Sequence, residues 1–208
     1  MSKLLVSFFL LCCTNSLFAQ QIDGDSFIKI DSARLTENES GWLLSANADI
    51  QLSPKIRQGL NSGVPLQFIV DFRIKRDIKL WPDKTLFSLQ QRYSLIYYVL
   101  TRHYRLQLIE TTSGAAASDK VNNANSLNTV TGNNKADNSQ NFRSLLTALD
   151  SLGNLQALPV KKPDIDLNGP LYGQLSYRLD EKALPLPLQS LLPSDWKLVS
   201  EDYAWSLN

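Results

Sequence analysis

Between Val64 and Arg76 the chain alternates with period two: Phe68, Val70, Phe72 and Ile74 take one set of positions, Asp71, Arg73 and Lys75 the other. Successive side chains of a strand point to opposite faces, so one face packs on a core and the other meets water, as in an antiparallel sheet. Phe27 to Leu35 and Gly41 to Leu52 are two further extended runs. The polar stretch Thr36 to Ser40 between them has turn composition and predicts a hairpin. Tyr93 to Thr111 is a second long run, dense in Tyr, Ile, Val and Leu, with a bend or tight connection predicted at Thr101-Arg102-His103. Leu155 to Pro159, Leu171 to Leu179 and a last segment near Trp196 to Trp205 complete the predicted strands.

Two segments carry the helical period instead. Ser53 offers a capping hydroxyl before Pro54, Ile56 and Leu60 share a face, and Gly63 stops the run. Phe142, Leu145, Leu146, Leu149 and Leu152 form a longer apolar stripe that ends at Gly153. Strands dominate, so the predicted class is α+β: a predominantly antiparallel β-sheet, sandwich-like or open barrel-like, with one clear and one short helix.

Ser113 to Gln140 breaks the pattern. It holds seven Asn and no aromatic residue, with only Val121, Leu127 and Val130 as large aliphatics. Such a stretch cannot bury enough apolar surface to offset its ordering entropy, and a disordered insertion at 113–140 is predicted. The remainder from Gln20 to Asn208 has the size of a single β-rich domain. Leu184-Pro185-Leu186-Pro187-Leu188 predicts a stiff extended crossing that covers the core's edge. Trp42, Trp81, Trp196 and Trp205 are read the same way, as core and sheet-edge cover.

The first nineteen residues change the setting. Lys3, an apolar and small-residue run from Leu4 to Cys13, a polar break at Thr14 to Ser16, and Ala19 before Gln20 have the layout of a cleaved signal peptide at 1–19. The run is too short for a membrane span, and no eighteen-residue apolar stretch follows it. A Gram-negative periplasmic location is expected. Cys12 and Cys13 are the only cysteines, so cleavage removes them and excludes disulfides and thiolate chemistry. The chain has 21 basic and 20 acidic residues, and loss of Lys3 balances them. A neutral exported chain lacks the field that gathers phosphate backbones, so nucleic acid is not an expected partner.

Candidate chemistry is sparse. His103, the one histidine, has no neighbouring carboxylate in sequence, and no nucleophile elbow is present. Asp164-Ile165-Asp166-Leu167-Asn168-Gly169 matches the opening of a calcium loop. Position twelve is Leu175 instead of the bidentate glutamate, so a turn is the expected reading, and no metal and no cofactor are predicted. Arg73, Lys75, Arg76 and Lys79 form one basic stretch and Arg102, His103 and Arg105 another, both beside aromatics. Converging in space, Arg73, Arg76, Arg102 and Arg105 would bind, or present to an enzyme site, the phosphates of envelope glycans or lipids. Scattered, they are the wet face of a sheet.

The chain resembles the exported bacterial family called domain of unknown function 4390. The likeness rests on Gly41-Trp42-Leu43-Leu44-Ser45-Ala46, Gly63-Val64-Pro65-Leu66, Arg76 with Trp81, and Leu100-Thr101-Arg102-His103-Tyr104-Arg105-Leu106. It continues in Phe142-Arg143-Ser144-Leu145, Leu152-Gly153, Leu184-Pro185 and Trp196 with Trp205. The resemblance implies no activity and no catalytic residues. It implies a periplasmic accessory to signalling, since relatives are encoded beside sensor histidine kinases. A non-enzymatic domain that binds a protein partner, a sensor kinase or an envelope assembly, is the functional expectation.

Overall fold

Two antiparallel sheets carry the fold. The computed structural model describes residues 24–39, 41–79, 81–115, 138–160, 169–185 and 196–207. The signal segment, most of the Asn-rich insertion, Asp164 to Asn168 of the calcium-like turn and Leu186 to Leu188 lie outside these. Strands β1 (Phe27–Asn38) and β2 (Gly41–Gln51) form the predicted hairpin, with Asn38 opposite Gly41. Helix α1 (Pro54–Asn61) follows, with the Ser53 hydroxyl accepting the Ile56 N–H at 3.4 Å and Ile56 and Leu60 buried.

Strands β3 (Leu66–Arg76), β4 (Lys84–Tyr98) and β5 (His103–Ala115) then meander, and the short β6 (Ser139–Phe142) pairs with the start of β5. The predicted connection in the Tyr93–Thr111 run is the turn between β4 and β5. Helix α2 (Leu145–Gly153) leads directly into β7 (Asn154–Val160), and β8 (Leu171–Leu179) and β9 (Tyr203–Ser206) follow. One sheet has the order β1-β2-β7, the other β6-β5-β4-β3-β8-β9. They are not closed into a barrel, and the molecule has the predominantly antiparallel β architecture with two helices that the sequence predicts. Among the described residues no helix is long and apolar enough to cross a membrane.

The core lies between the sheets. Leu44, Ala46, Ala48 and Ile50 of β2 face Phe68, Val70, Phe72 and Ile74 of β3, with Leu89 and Leu95 of β4. The β3 alternation was legible because Asp71, Arg73 and Lys75 on its other face reach solvent, although Ile69 on that face is buried. Trp205 of β9 crosses Gly173 of β8 to stack on Phe72, with centroids 5.9 Å apart. A Cβ at Gly173 would stand 2.6 Å from that indole, so glycine is required there by close approach.

Several readings are corrected. Phe142 belongs to β6, and Leu146 is 67% exposed; the buried face of α2 is Ala148, Leu149, Leu152 and Gly153. Leu146 lies about 100° around the helix from Leu145, outside the stripe that meets β2. The helix does end at Gly153 as read, but without a left-handed cap: Gly153 is the last helical residue and is seated on β2. Trp42 and Trp196 are core, but Trp81 is 76% exposed in the β3–β4 connection. Ser113 to Ala115 and Ser139 to Gln140, the ends of the predicted insertion, are strand.

Candidate functional site

Where β7 approaches β5, the edges of the two sheets leave an open cleft of about 510 Å³. Tyr93, Leu106 and Leu108 form its base, from the core-facing rows of β4 and β5. Asn138 and Gln140 enter from the β6 side, Asp150 and Ser151 from the last turn of α2, and Asn154, Leu155, Gln156 and Leu158 from β7. The Ser151 hydroxyl donates to Gln140 Oε1 at 3.0 Å, tying α2 to β6 across one end. From Ile109 to Ala115, no strand among the described residues pairs with the outer edge of β5.

The lining carries amides and one carboxylate, and no cation. Asp150 stands near the C-terminal end of α2, where the helix dipole disfavours a negative charge. Amides donate and accept at once, so the cleft offers both halves of a peptide hydrogen-bonding pattern. Beneath it lies a polar pair inside the core: the Tyr93 hydroxyl donates to Gln91 Oε1 at 2.7 Å, and burial pushes the Tyr93 pKa up to about 12. Tyr177, on the same face of the sheet two strands away, is fully buried, and its hydroxyl has no hydrogen-bond partner among the described residues. Burial, with Tyr93 beside it, pushes its pKa up further. Both phenols stay protonated at neutral pH.

A second recess, lined by Ser32, Arg34, Ser45 and Asn47, lies across the small sheet and shares Asn154, Leu155 and Gln156 with the cleft. The dividing segment is irregular. Pairing of β2 with β7 shifts between Leu44 and Ala46, and Ala157 takes φ 50° while donating its N–H to Ser45 Oγ at 3.2 Å. Such a bulge re-aims neighbouring side chains, here Asn154 and Gln156 toward the recesses. A left-handed alanine is strained, so Ala157→Gly should raise the unfolding free energy by about 1 kcal/mol. Urea unfolding checks this; a loss of stability would mean the alanine methyl packs.

The four arginines singled out in the sequence do not converge. Arg73 is in the middle of β3 on the outer face, held by Asp71 through Nε at 3.0 Å and Nη2 at 2.8 Å. That bond raises its pKa and neutralises its field locally. Arg76 ends β3 opposite Lys84. Arg102 lies at the other end of the sheet, in the β4–β5 turn with φ 52°. Arg105, on the outer face of β5 opposite Ile96, donates to Ser139 Oγ at 3.0 Å. Lys84 and Tyr98 bound β4, so Arg76 and Arg102 are separated by about 48 Å of extended strand. One small ligand cannot touch all four. Arg92, outer-facing on β4, is likewise paired, with Asp180 and with Glu110 at 3.7 Å. His103 opens β5, half-buried and opposite Tyr98, and its Nδ1 has no hydrogen-bond partner among the described residues. The amide-lined cleft was not foreseen: its residues come from five elements and share no motif.

No curated protein and no solved structure matches the chain. A family model matches residues 25–206, nearly all of the fold described above. The chain therefore belongs to the family described as domain of unknown function DUF4390.

Proposed function

We propose that this is a non-enzymatic periplasmic domain that receives an extended segment of a protein partner in the cleft between β5 and β7. The observation that carries the reading is the composition of the cleft. Asn138, Gln140, Asn154 and Gln156 surround an apolar floor of Leu106, Leu108 and Leu155, with Asp150 as the one charge. A peptide meets that lining with backbone amides and alternate apolar side chains, and free sheet edges are where extended segments add. Asp150 favours a segment bearing Lys or Arg, since a cation there relieves the mismatch with the helix dipole. A phosphate would meet no cation in the cleft. A sensor kinase or an envelope assembly fits as the owner of the segment, and accessory binding fits a family without an assigned activity.

Asn154 and Gln156 are exposed, so their replacement by arginine leaves the core intact. The Asn154→Arg, Gln156→Arg double variant should keep the wild-type melting temperature and lose partner recovery from envelope extracts at least about tenfold, an interface charge clash being worth more than 1.4 kcal/mol. Equal recovery of the same partner by both proteins would reject the cleft as its site.

A further inference from the structure

The geometry points to a second binding surface, the tip of the β4–β5 hairpin, as a docking point for an anionic phospholipid surface. Hairpin tips are ordinarily built from Gly, Asn, Asp and Ser, which supply turn geometry and meet water without cost. Here Val99 is 59% exposed and Leu100 fully so, next to the exposed Tyr98. Singly scattered exposed apolar residues need no explanation, but Tyr98, Val99 and Leu100 in succession at the end of a hairpin form a patch. Leu146, exposed in the first turn of α2, belongs to the same end of the sheet: Phe142, four residues before it, pairs with Tyr104, which pairs with Tyr97.

The tip is presented on a rigid base. The Tyr97 and Tyr104 rings pack with centroids 4.7 Å apart, and the Tyr104 hydroxyl donates to Asn61 Oδ1 at 2.9 Å at the end of α1. The occupant follows from the charge around this base. The segments Tyr93–Gln107, Asn138–Leu149 and Pro54–Val64, which carry the tip and its flanks, include Arg57, Arg102 and Arg143 and no carboxylate; Asp180 and Glu181, across β3 at the end of β8, are accompanied by Arg92, which pairs with Asp180, and by Lys182. That is a local excess in a chain balanced overall. Apolar residues at the extreme tip, aromatics behind them and cations around the base match the order of acyl chain, interface and anionic headgroup encountered at a bilayer. A purely protein-directed apolar patch has no need of this positive charge beside it.

The test is flotation of the purified protein with phosphatidylglycerol-containing vesicles, against phosphatidylcholine vesicles alone. Binding to the anionic vesicles is expected, weakening at high salt. Leu100→Asp should lower the partition coefficient at least about tenfold, since it exchanges a burying leucine for a repelled charge. Arg102→Gln with Arg143→Gln should lower it more than about tenfold, each arginine near an anionic surface accounting for about fivefold. The melting temperature of each variant should stay at the wild-type value, because the side chains are exposed. Absence of anionic-vesicle binding, or a Leu100→Asp variant that partitions like the wild type, would overturn the proposal. Loss of a protein partner in Leu100→Asp with unchanged vesicle binding would overturn it equally and mark the tip as a protein contact.

Discussion

Gly153→Ala should lower the unfolding free energy by about 3 kcal/mol or more, although a glycine-to-alanine change inside a helix ordinarily gains about 1 kcal/mol. The reason is where α2 sits. Its last residue lies against the backbone of β2, and a Cβ there would stand 2.0 Å from the Ala48 carbonyl oxygen and 3.1 Å from its carbon. Neither partner can swing aside: both are backbone, one in a helix and one in the middle strand of the β1-β2-β7 sheet. Relief requires α2 to lift from β2 by more than an ångström, which opens the packing of Ala148, Leu149 and Leu152. Because α2 runs directly into β7, the lift would also move the Asn154–Ala157 segment that walls the cleft. Urea unfolding checks the prediction. A Gly153→Ala protein as stable as the wild type would show that α2 is not seated in this way.

The second large effect is alkaline. Tyr93 carries a pKa raised to about 12 by burial, against about 10 in an unfolded chain. A group whose native pKa is raised contributes stability that is complete below pH 10 and is lost as pH climbs through the native value. The loss for Tyr93 alone approaches about 2.7 kcal/mol between pH 10 and 12, at about 1.4 kcal/mol per pH unit. Tyr177 adds to it in the same direction. Tyr177→Phe separates the two tyrosines. It deletes a buried hydroxyl without a hydrogen-bond partner, so stability at neutral pH should rise by about 1 kcal/mol, and the alkaline slope should fall by one tyrosine's share. Unfolding curves at pH 8 and pH 11 measure both. A clear loss of stability in Tyr177→Phe at pH 8 would mean that the hydroxyl is satisfied after all.

The parts of this fold that were legible in the sequence are those in which one contact surface dictates a periodic pattern. The β3 strand alternates because the core takes Phe68, Val70, Phe72 and Ile74 while Asp71, Arg73 and Lys75 lie on the face that reaches solvent. The Ser53-Pro54 start of α1 was legible because capping is a local interaction. Gly153 was legible as the end of α2 but not as a contact, because the contact is tertiary: a helix end and a close backbone approach look alike in sequence. Leu146 and Val99-Leu100 were absorbed into apolar runs, since a leucine facing solvent carries no mark to distinguish it from one facing a core. The four arginines were grouped by nearness in sequence, whereas a strand meander sends its ends to opposite rims. The cleft lies beyond sequence reasoning for the opposite reason. Asn138, Gln140, Asp150, Asn154 and Gln156 are unremarkable individually and meet only because α2 turns straight into β7 beside β5.

The claim on which the functional account stands is that this cleft, and not the outer face of the large sheet, holds the partner's chain. A photo-crosslinking amino acid placed at Gln156 in living cells reads this directly, with a second at Ser88 on the outer face as its counterpart. The account predicts a discrete protein adduct from position 156, reduced when Asn154 is also replaced by arginine, and none from position 88. An adduct from position 88 with nothing from position 156 would contradict it.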